Sequence, residues 1–253
     1  MSILIIAEAG INHDGSLDKA KRLVDAAKRA GADAVKFQFF SSRRLWGDDR
    51  IKHLELRPED FTVLAAYCAE RGTEFMSTPF GVEELTLITP LVKRIKIASG
   101  CIARLELLGA ARLSGLPVIL STGMSTEEDI ASALWVLGKA TLLHCTSTYP
   151  CPISAVNLRA MDTLRTFGMP VGYSDHTAGI TVALAAVARG AVVLEKHLTL
   201  DRRATGPDHK ASIEPAEFRA MVQGIRLIED ALGSGAKAVQ DCERELRAAW
   251  REH

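Results

Sequence analysis

The chain alternates short apolar, β-branched runs with longer segments in which hydrophobic residues recur every three or four positions. The short runs are typical of buried strands, and the longer period is typical of helices that cover them. We predict eight strands, at residues 3–7, 34–38, 74–77, 94–98, 117–120, 140–145, 170–173 and 191–196. Because a helical segment follows each strand, the pattern indicates parallel strands wound in one direction.

Several helix boundaries carry their own signals. Gly31 follows the first amphipathic segment and suits a helix C-terminus, and Gly233 follows the last one in the same way. Pro58 falls in the first turn of the second segment. Ser125 and Glu128 have the spacing of a capping box, so we expect them to begin the fifth helix.

Eight strand–helix units are the number that closes a (β/α)8, or TIM, barrel of about 250 residues, an α/β fold. The alternative is an open, doubly wound sheet, but the first strand–helix turn lacks the G-x-G-x-x-G loop typical of that fold. No linker or low-complexity tract interrupts the pattern. We therefore predict a single-domain TIM barrel over residues 1–235, followed by a C-terminal helical tail over residues 236–253.

Composition narrows the class of protein. The 31 Lys and Arg balance the 31 Asp and Glu, which argues against a nucleic-acid-binding protein, and no apolar run approaches the roughly 18 residues of a membrane span. The first residues lack the basic region of a signal peptide. Five scattered cysteines with no Cys-x-x-Cys pair indicate a reducing compartment. We expect a cytoplasmic protein with no membrane partner.

Chemistry in a TIM barrel lies at the carboxyl ends of the strands, and nearly every predicted strand ends in polar residues. Inward lysines could simply pair within a filled barrel. Buried charges are costly unless they are paired, however, so Lys36 and Lys96 on strands two and four favour an anion held between them. Phosphate and carboxylate oxygens would then also meet the hydroxyl groups of Thr78, Ser99 and Ser174.

Two histidines end neighbouring strands. Since paired strands lie about 5 Å apart, the imidazoles of His176 and His197 can share one divalent cation, with Glu8 or Glu195 as candidates to complete or orient the site. Two nitrogen ligands leave room for water and substrate oxygen, which suits a Lewis acid. The alternative is a pair of hydrogen-bonded core histidines. The other histidines are expected at the surface or in local hydrogen bonds: His13, His53, His144, His209 and His253.

Two further residues have open roles. Cys101 follows the active end of strand four, but no base is identifiable beside it, so we expect a small residue of the pocket wall and not a nucleophile. Asp208 lies in a Gly-Pro-Asp stretch where forming a turn is the alternative to a role in the site.

Eight segments then point to a family. They are IAEAGINH (6–13), VKFQ (35–38), STPF (77–80), KIASG (96–100), STGM (121–124), SDHT (174–177), EKH (195–197) and GPDHKAS (206–212). In this order they resemble the N-acetylneuraminate (sialic acid) synthase family, whose members condense phosphoenolpyruvate with an N-acylated mannosamine or a related amino sugar. The resemblance covers residues 3 to about 235.

The resemblance implies a role for each matching position. His176 and His197 would bind a divalent ion, usually manganese or magnesium, that holds the aldehyde of the open-chain sugar. Glu8 would handle the proton of the attacking water, and Lys36 and Lys96 would serve as catalytic residues that hold phosphoenolpyruvate. Further contacts to phosphoenolpyruvate would come from Thr78, Ser99, Ser121, Ser147 and Ser174, and contacts to the sugar from Gln38, Tyr149 and Asp208.

The implied reaction joins carbon three of phosphoenolpyruvate to the aldehyde polarised by the metal, adds water at carbon two, and releases phosphate by carbon–oxygen cleavage to leave a nonulosonic acid. There are three departures from the family. Cys101 stands where the family commonly has a Glu near the sugar. The family usually begins with a short hairpin that caps the bottom of the barrel, whereas strand one starts here at residue 3. It also usually continues into an antifreeze-like domain that completes the sugar site across a dimer. We expect the barrel portion only, with exposed apolar surface that favours a homo-oligomer.

Two alternatives stay open. One is a synthase that uses the same donor with a different aldose. The other is a catalytically silent barrel that binds phosphoenolpyruvate or a sugar.

Overall fold

Eight parallel strands follow one another around a barrel in the computed structural model, which describes residues 2–251. Met1, Glu252 and His253 lie outside the described residues, so the predicted tail and His253 are not followed to the end. The strands are β1 (Leu4–Gly10), β2 (Ala34–Phe39), β3 (Glu74–Pro79), β4 (Ile95–Ile97), β5 (Val118–Ser121), β6 (Thr141–His144), β7 (Val171–Asp175) and β8 (Val193–His197).

The strands pair in the order β3-β2-β1-β8-β7-β6-β5-β4, so each lies beside its neighbours in sequence and β8 pairs with β1. The two end strands of this order, β3 and β4, also lie side by side. The Nε atom of Arg94 donates to Glu74 Oε1 at 2.7 Å where these two strands begin. The single-domain TIM barrel predicted from the sequence is confirmed.

Ten α-helices cover the barrel or follow it: α1 (Leu17–Ala30), α2 (Ser42–Trp46), α3 (Pro58–Glu70), α4 (Val82–Ile88), α5 (Leu105–Leu113), α6 (Glu127–Leu137), α7 (Ala160–Arg165), α8 (Thr181–Ala188), α9 (Pro215–Leu232) and α10 (Arg244–Arg251), counted within residues 2–251. Gly31 ends α1 with a left-handed φ of 89°, and Pro58 begins α3, as predicted.

The capping box expected from Ser125 and Glu128 is wrong by one residue. Thr126 and Asp129 form the reciprocal pair at the start of α6. Ser125 instead belongs to the preceding turn, where its hydroxyl donates to the carbonyl oxygen of Gly123 at 3.2 Å. Met124 has a positive φ of 59° in this turn, which delays the start of the helix.

The lumen of the barrel contains an apolar layer below a polar one. Side chains two residues apart in a strand point to the same face of the sheet. The residue two positions after each residue of the apolar layer therefore also faces the lumen. The apolar layer comprises Ile6, Ala34, Met76, Ile119, Leu143 and Val193. The corresponding residues nearer the carboxyl ends are Glu8, Lys36, Thr78, Ser121, Cys145 and Glu195. The apolar layer therefore closes the lumen beneath the polar groups.

Packing in this layer leaves no space at Gly172 of β7. A Cβ atom there would lie 2.4 Å from the carbonyl oxygen of Val193 and 2.7 Å from a methyl group of Leu143. Such a distance is shorter than van der Waals contact, so only glycine fits at this point of the wall.

Residues 233–251, including α10, are exposed. Across residues 2–251, none of the helices combines the length and hydropathy that a bilayer crossing requires.

Candidate active site

A polar cavity of about 410 Å³ opens at the carboxyl ends of the strands. All thirteen residues predicted for the site line it, and they come from every strand or from the loop that follows it. They are Glu8, Lys36, Gln38, Thr78, Lys96, Ser99, Ser121, Ser147, Tyr149, Ser174, His176, His197 and Asp208. The structure thus brings the whole predicted set together, while the role of each residue stays a prediction.

The floor of the cavity is its buried end, which contains Glu8, Lys36, Lys96 and Glu195. Lys36 has the most ionic and hydrogen-bond partners there. Its Nζ atom lies 2.7 Å from Glu8 Oε2 and 3.5 Å from Glu195 Oε2, and it donates to Thr78 Oγ1 at 2.9 Å. Lys36 is 2% exposed. A buried ammonium placed between two carboxylates keeps its charge, and the two carboxylates outweigh the effect of burial and raise the pKa of Lys36.

Lys96 is equally buried but less well paired. Its Nζ atom donates to Ser121 Oγ at 2.7 Å and to the Ile97 carbonyl oxygen at 3.2 Å, and it lies 3.8 Å from Glu195 Oε1. Burial therefore lowers the pKa of Lys96 in spite of Glu195. An anion that entered the cavity would restore the missing partner and favour the charged form.

The two carboxyl groups of the floor have opposite protonation behaviour. Burial, partly offset by Lys36, raises the pKa of Glu8 to about 7. Burial acts the same way on Glu195, but the ammonium groups of Lys36 and Lys96 outweigh it and lower the pKa of Glu195 to about 2. Glu8 is thus suited to exchange a proton near neutral pH, whereas Glu195 stays a fixed negative charge.

Small groups form a concave wall beside Lys96. The backbone N–H of Gly123 donates to Ser99 Oγ at 3.0 Å. A Cβ atom at Gly123 would lie 2.4 Å from Ser147 Oγ and 3.0 Å from Ser99 Oγ. The absence of a side chain at Gly123 therefore lets two hydroxyl groups and an amide converge, an arrangement that suits the oxygens of a phosphate or carboxylate.

The two histidines face each other with their ring centroids 5.7 Å apart. His176 Nδ1 contacts the Thr146 carbonyl oxygen at 2.7 Å, so Nδ1 carries the proton and Nε2 is left as an acceptor. Burial lowers the pKa of both histidines, and His176 lowers that of His197 further. Both rings are therefore in the neutral form that binds metal ions.

These residues fit a divalent ion. His197 Nδ1 and Asp208 Oδ2 are buried without a hydrogen-bond partner and lie 3.7 Å apart, so both are available to a further polar ligand. Burial raises the pKa of Asp208 to about 6. No group of three or more His, Cys, Asp or Glu is arranged around a common point in the described part of the chain. The two histidines would therefore leave most positions of the ion to water and substrate.

The mouth of the cavity is more apolar than its floor. Tyr149 packs against His176 at a ring-centroid distance of 4.1 Å, and Gln38 Nε2 donates to Glu8 Oε1 at 3.2 Å. Three apolar residues that the sequence did not indicate also line the cavity: Trp46, Phe80 and Met124. Trp46 lies in the short helix α2, which no strand-end pattern indicates. Glu195 was expected only as an alternative to Glu8 beside the metal. Its position two residues before His197 in the same strand indicates that its side chain also points inward.

Two expectations need correction. Cys101 does not line the cavity. It is 1% exposed and packs in the hydrophobic core between the strands and the helices, where burial raises its pKa. His13 is 1% exposed but forms a local hydrogen bond, one of the two expected alternatives, in which its Nδ1 atom accepts from the Gly15 N–H. His209, also 1% exposed, is neither at the surface nor in a local hydrogen bond. His209 joins distant segments through Asp14 and Thr199, at 3.1 and 2.7 Å.

The fold and the cavity together define a TIM-barrel protein with a polar site built on two buried lysines and two histidines. The chain belongs to the NeuB family, whose sequence profile matches residues 23–237. The predicted resemblance is thereby confirmed.

Individual relatives agree with this assignment. The chain is 43% identical to N,N'-diacetyllegionaminic acid synthase of Legionella pneumophila, over 99% of this chain and 79% of that protein. It is 36% identical to N-acetylneuraminate-9-phosphate synthase of Homo sapiens, over 94% and 74%. The crystal structure of a sialic acid synthetase from Leptospira borgpetersenii, in complex with citrate, superimposes with a TM-score of 0.94 at 38% identity, over 100% of this chain and 92% of that one.

Proposed function

We propose that the protein is a synthase that joins phosphoenolpyruvate to an N-acylated amino sugar resembling N-acetylmannosamine, forming a sialic-type nonulosonic acid and releasing phosphate. The observation that carries this proposal is the floor of the cavity, where two buried lysines and five hydroxyl side chains converge opposite two histidines. Relatives named as synthases of N-acetylneuraminate-9-phosphate, diacetyllegionaminic acid and pseudaminic acid support the same class of reaction.

Charge attraction and hydrogen bonds together explain how the floor holds the donor. Phosphoenolpyruvate brings a phosphate and a carboxylate, about three negative charges at neutral pH. Lys96, which is incompletely paired, attracts this charge in a buried setting where ion pairs are strong, and Lys36 adds to the attraction although Glu8 and Glu195 neutralise part of its charge. The hydroxyl groups of Thr78, Ser99, Ser121, Ser147 and Ser174 donate to the remaining oxygens.

A divalent ion, manganese or magnesium, would be held by His176 and His197 and would supply Lewis-acid polarisation of the aldehyde. The side-chain ends of Asp208 and Gln38 both lie beside Gly10, where they would accept hydrogen bonds from sugar hydroxyl groups or donate hydrogen bonds to them. Tyr149 covers this part of the site and excludes water from it.

Glu8 is the group that moves a proton. Carbon three of phosphoenolpyruvate forms a bond to the aldehyde carbon, water adds at carbon two, and the bond from carbon two to the phosphate oxygen breaks. One proton of the water ends on the former aldehyde oxygen and the other on the departing phosphate. A carboxyl with a pKa of about 7, 2.7 Å from Lys36, is suited to receive the first of these protons and return it.

In this proposal residues 1–235 form the catalytic barrel and residues 236–253 a helical tail, in a cytoplasmic protein that forms homo-oligomers.

Phosphate release tests the proposal. Metal-free protein is reloaded with Mn²⁺ and given phosphoenolpyruvate with a panel of N-acylated mannosamines, and phosphate and product mass are followed. We expect release that depends on the amino sugar, and a loss of about 10²- to 10⁴-fold in the variant Glu8→Gln. The exposed Glu106→Gln is the matched control and should keep full activity.

Two outcomes would reassign the function. Faster release with arabinose 5-phosphate or erythrose 4-phosphate would indicate a synthase for a different aldose. Tight binding of phosphoenolpyruvate without release, with every aldehyde and in folded, metal-loaded protein, would refute synthase activity and leave a binding barrel.

A further inference from the structure

A fully buried ion pair lies in the barrel wall directly behind the two histidines. Asp175 and Lys196 face each other in register on β7 and β8, neither side chain is exposed, and Lys196 Nζ lies 2.7 Å from Asp175 Oδ2. Because side chains alternate across a strand, both point away from the lumen. The residue that follows each of them, His176 or His197, points into it.

The same pair holds the turn that carries His176. Asp175 Oδ1 accepts hydrogen bonds from the backbone N–H and the hydroxyl of Thr177, at 2.9 and 2.8 Å. Lys196 Nζ donates to the carbonyl oxygen of Thr177 at 2.6 Å. The residue after His176 is thereby tied both to the end of β7 and to β8.

The pairing of β7 with β8 ends at this point. The ladder runs Tyr173–Leu194, Ser174–Glu195 and Asp175–Lys196, and the two histidines lie one residue beyond it. Strand pairing therefore does not fix their separation. The ion pair joins the last two paired residues of β7 and β8. On the outer face of the barrel, it is the connection between these strands that lies nearest to the two histidines.

Stability by itself does not account for this pair. Desolvation of two buried charges offsets much of their attraction, and an apolar pair of similar size often stabilises a core equally well. Neither side chain lines the cavity, so neither contacts a substrate there. What the pair supplies that an apolar pair lacks is a defined geometry, because its hydrogen bonds have fixed lengths and directions.

We propose that Asp175 and Lys196 are positioning residues that fix the separation and orientation of His176 and His197, so that both imidazoles bind one divalent ion. This inference rests on the metal site of the proposed function. Groups that orient metal ligands from behind typically change metal affinity 10- to 100-fold when they are altered.

The test replaces the pair by apolar residues and measures metal affinity directly. In the double variant Asp175→Leu with Lys196→Met no buried charge is left unpaired, so we expect the protein to fold. We expect its unfolding temperature to be lower than that of the wild type, because the buried polar groups of Thr177 lose their hydrogen-bond partners. Electron paramagnetic resonance of free Mn²⁺, titrated with metal-free protein, gives the dissociation constant without any turnover. We expect it to rise by about 10- to 100-fold.

The matched control is Glu74→Leu with Arg94→Met, which removes an ion pair between two other strands at the opposite end of the barrel. It should keep the wild-type affinity for Mn²⁺. Should the first double variant fail to fold, Thr177→Val replaces it, because it removes only the hydroxyl that donates to Asp175; a several-fold rise is then expected.

Two results overturn the inference and are distinguishable. Unchanged Mn²⁺ affinity in a folded Asp175–Lys196 variant, or in Thr177→Val if that variant replaces it, overturns the positioning role alone. Unchanged affinity after His176→Ala, or no Mn²⁺ binding by the wild type, overturns the metal site of the proposed function and this inference with it.

Discussion

His13 is a buried imidazole, in the turn after β1, and the folded state favours its neutral form. It is 1% exposed, and its Nδ1 atom accepts a hydrogen bond from the Gly15 N–H at 3.1 Å. Burial, partly offset by Asp14, lowers the pKa of His13 to about 4, from an ordinary value of 6.5. Below pH 6.5 the unfolded chain takes up a proton that the folded chain excludes, so stability falls until the pH reaches about 4.

The size of the effect follows from the two pKa values. Proton linkage predicts that this one residue removes about 2 kcal/mol from the free energy of unfolding at pH 5, and about 3 kcal/mol at pH 4, relative to pH 7.5. The net stability of a protein is typically about 5–15 kcal/mol, so the loss is a large fraction of the total.

Urea unfolding between pH 7.5 and 4 measures this contribution. In His13→Asn the side-chain oxygen can still accept the Gly15 hydrogen bond, but the side chain no longer titrates. The variant is expected to be less stable than wild type at pH 7.5 and to lose less stability on acidification, by about 2 kcal/mol at pH 5. The exposed His53→Asn should follow the wild-type profile. Parallel profiles for wild type and His13→Asn would refute the reasoning.

Three further predictions concern packing, the donor site and assembly. Gly172→Ala places a methyl group 2.4 Å from a backbone oxygen of β8 and should cost about 1–3 kcal/mol, seen in calorimetry as a lower unfolding temperature; an unchanged temperature contradicts the packing of the lumen. Gly123→Ala fills the space beside Ser147 Oγ and should weaken phosphoenolpyruvate binding by roughly tenfold or more in calorimetric titration, with the fold retained. An unchanged affinity would argue against the wall around Gly123 as the donor site. Leu113 and Trp135, 88% and 84% exposed, should favour self-association, and light scattering that shows a monomer at high concentration removes this expectation.

The sequence by itself determined the fold and the composition of the site. Strand alternation has a period of two, so an apolar residue such as Ile6 or Val193 already implies that Glu8 or Glu195, two positions on, faces the same lumen. Eight such units close a barrel, and the carboxyl ends of parallel strands meet at one edge. These local rules account for the inward-facing residues of the strands. Ser147, Tyr149 and Asp208 lie in loops, and it was the family resemblance that assigned them to the site.

Only the tertiary structure decided where loop residues point and how charges share partners. Cys101 points into the core from the end of a short helical turn, and Trp46 reaches the cavity from α2, because loop geometry is set by what each loop packs against and not by a period in the sequence. The contrast between Glu8 and Glu195 has the same origin. Both are buried glutamates facing the same lumen, but Glu8 lies near Lys36 alone, and burial raises its pKa. Glu195 lies near both Lys36 and Lys96 and accepts a hydrogen bond from Ser174, and together these contacts lower its pKa.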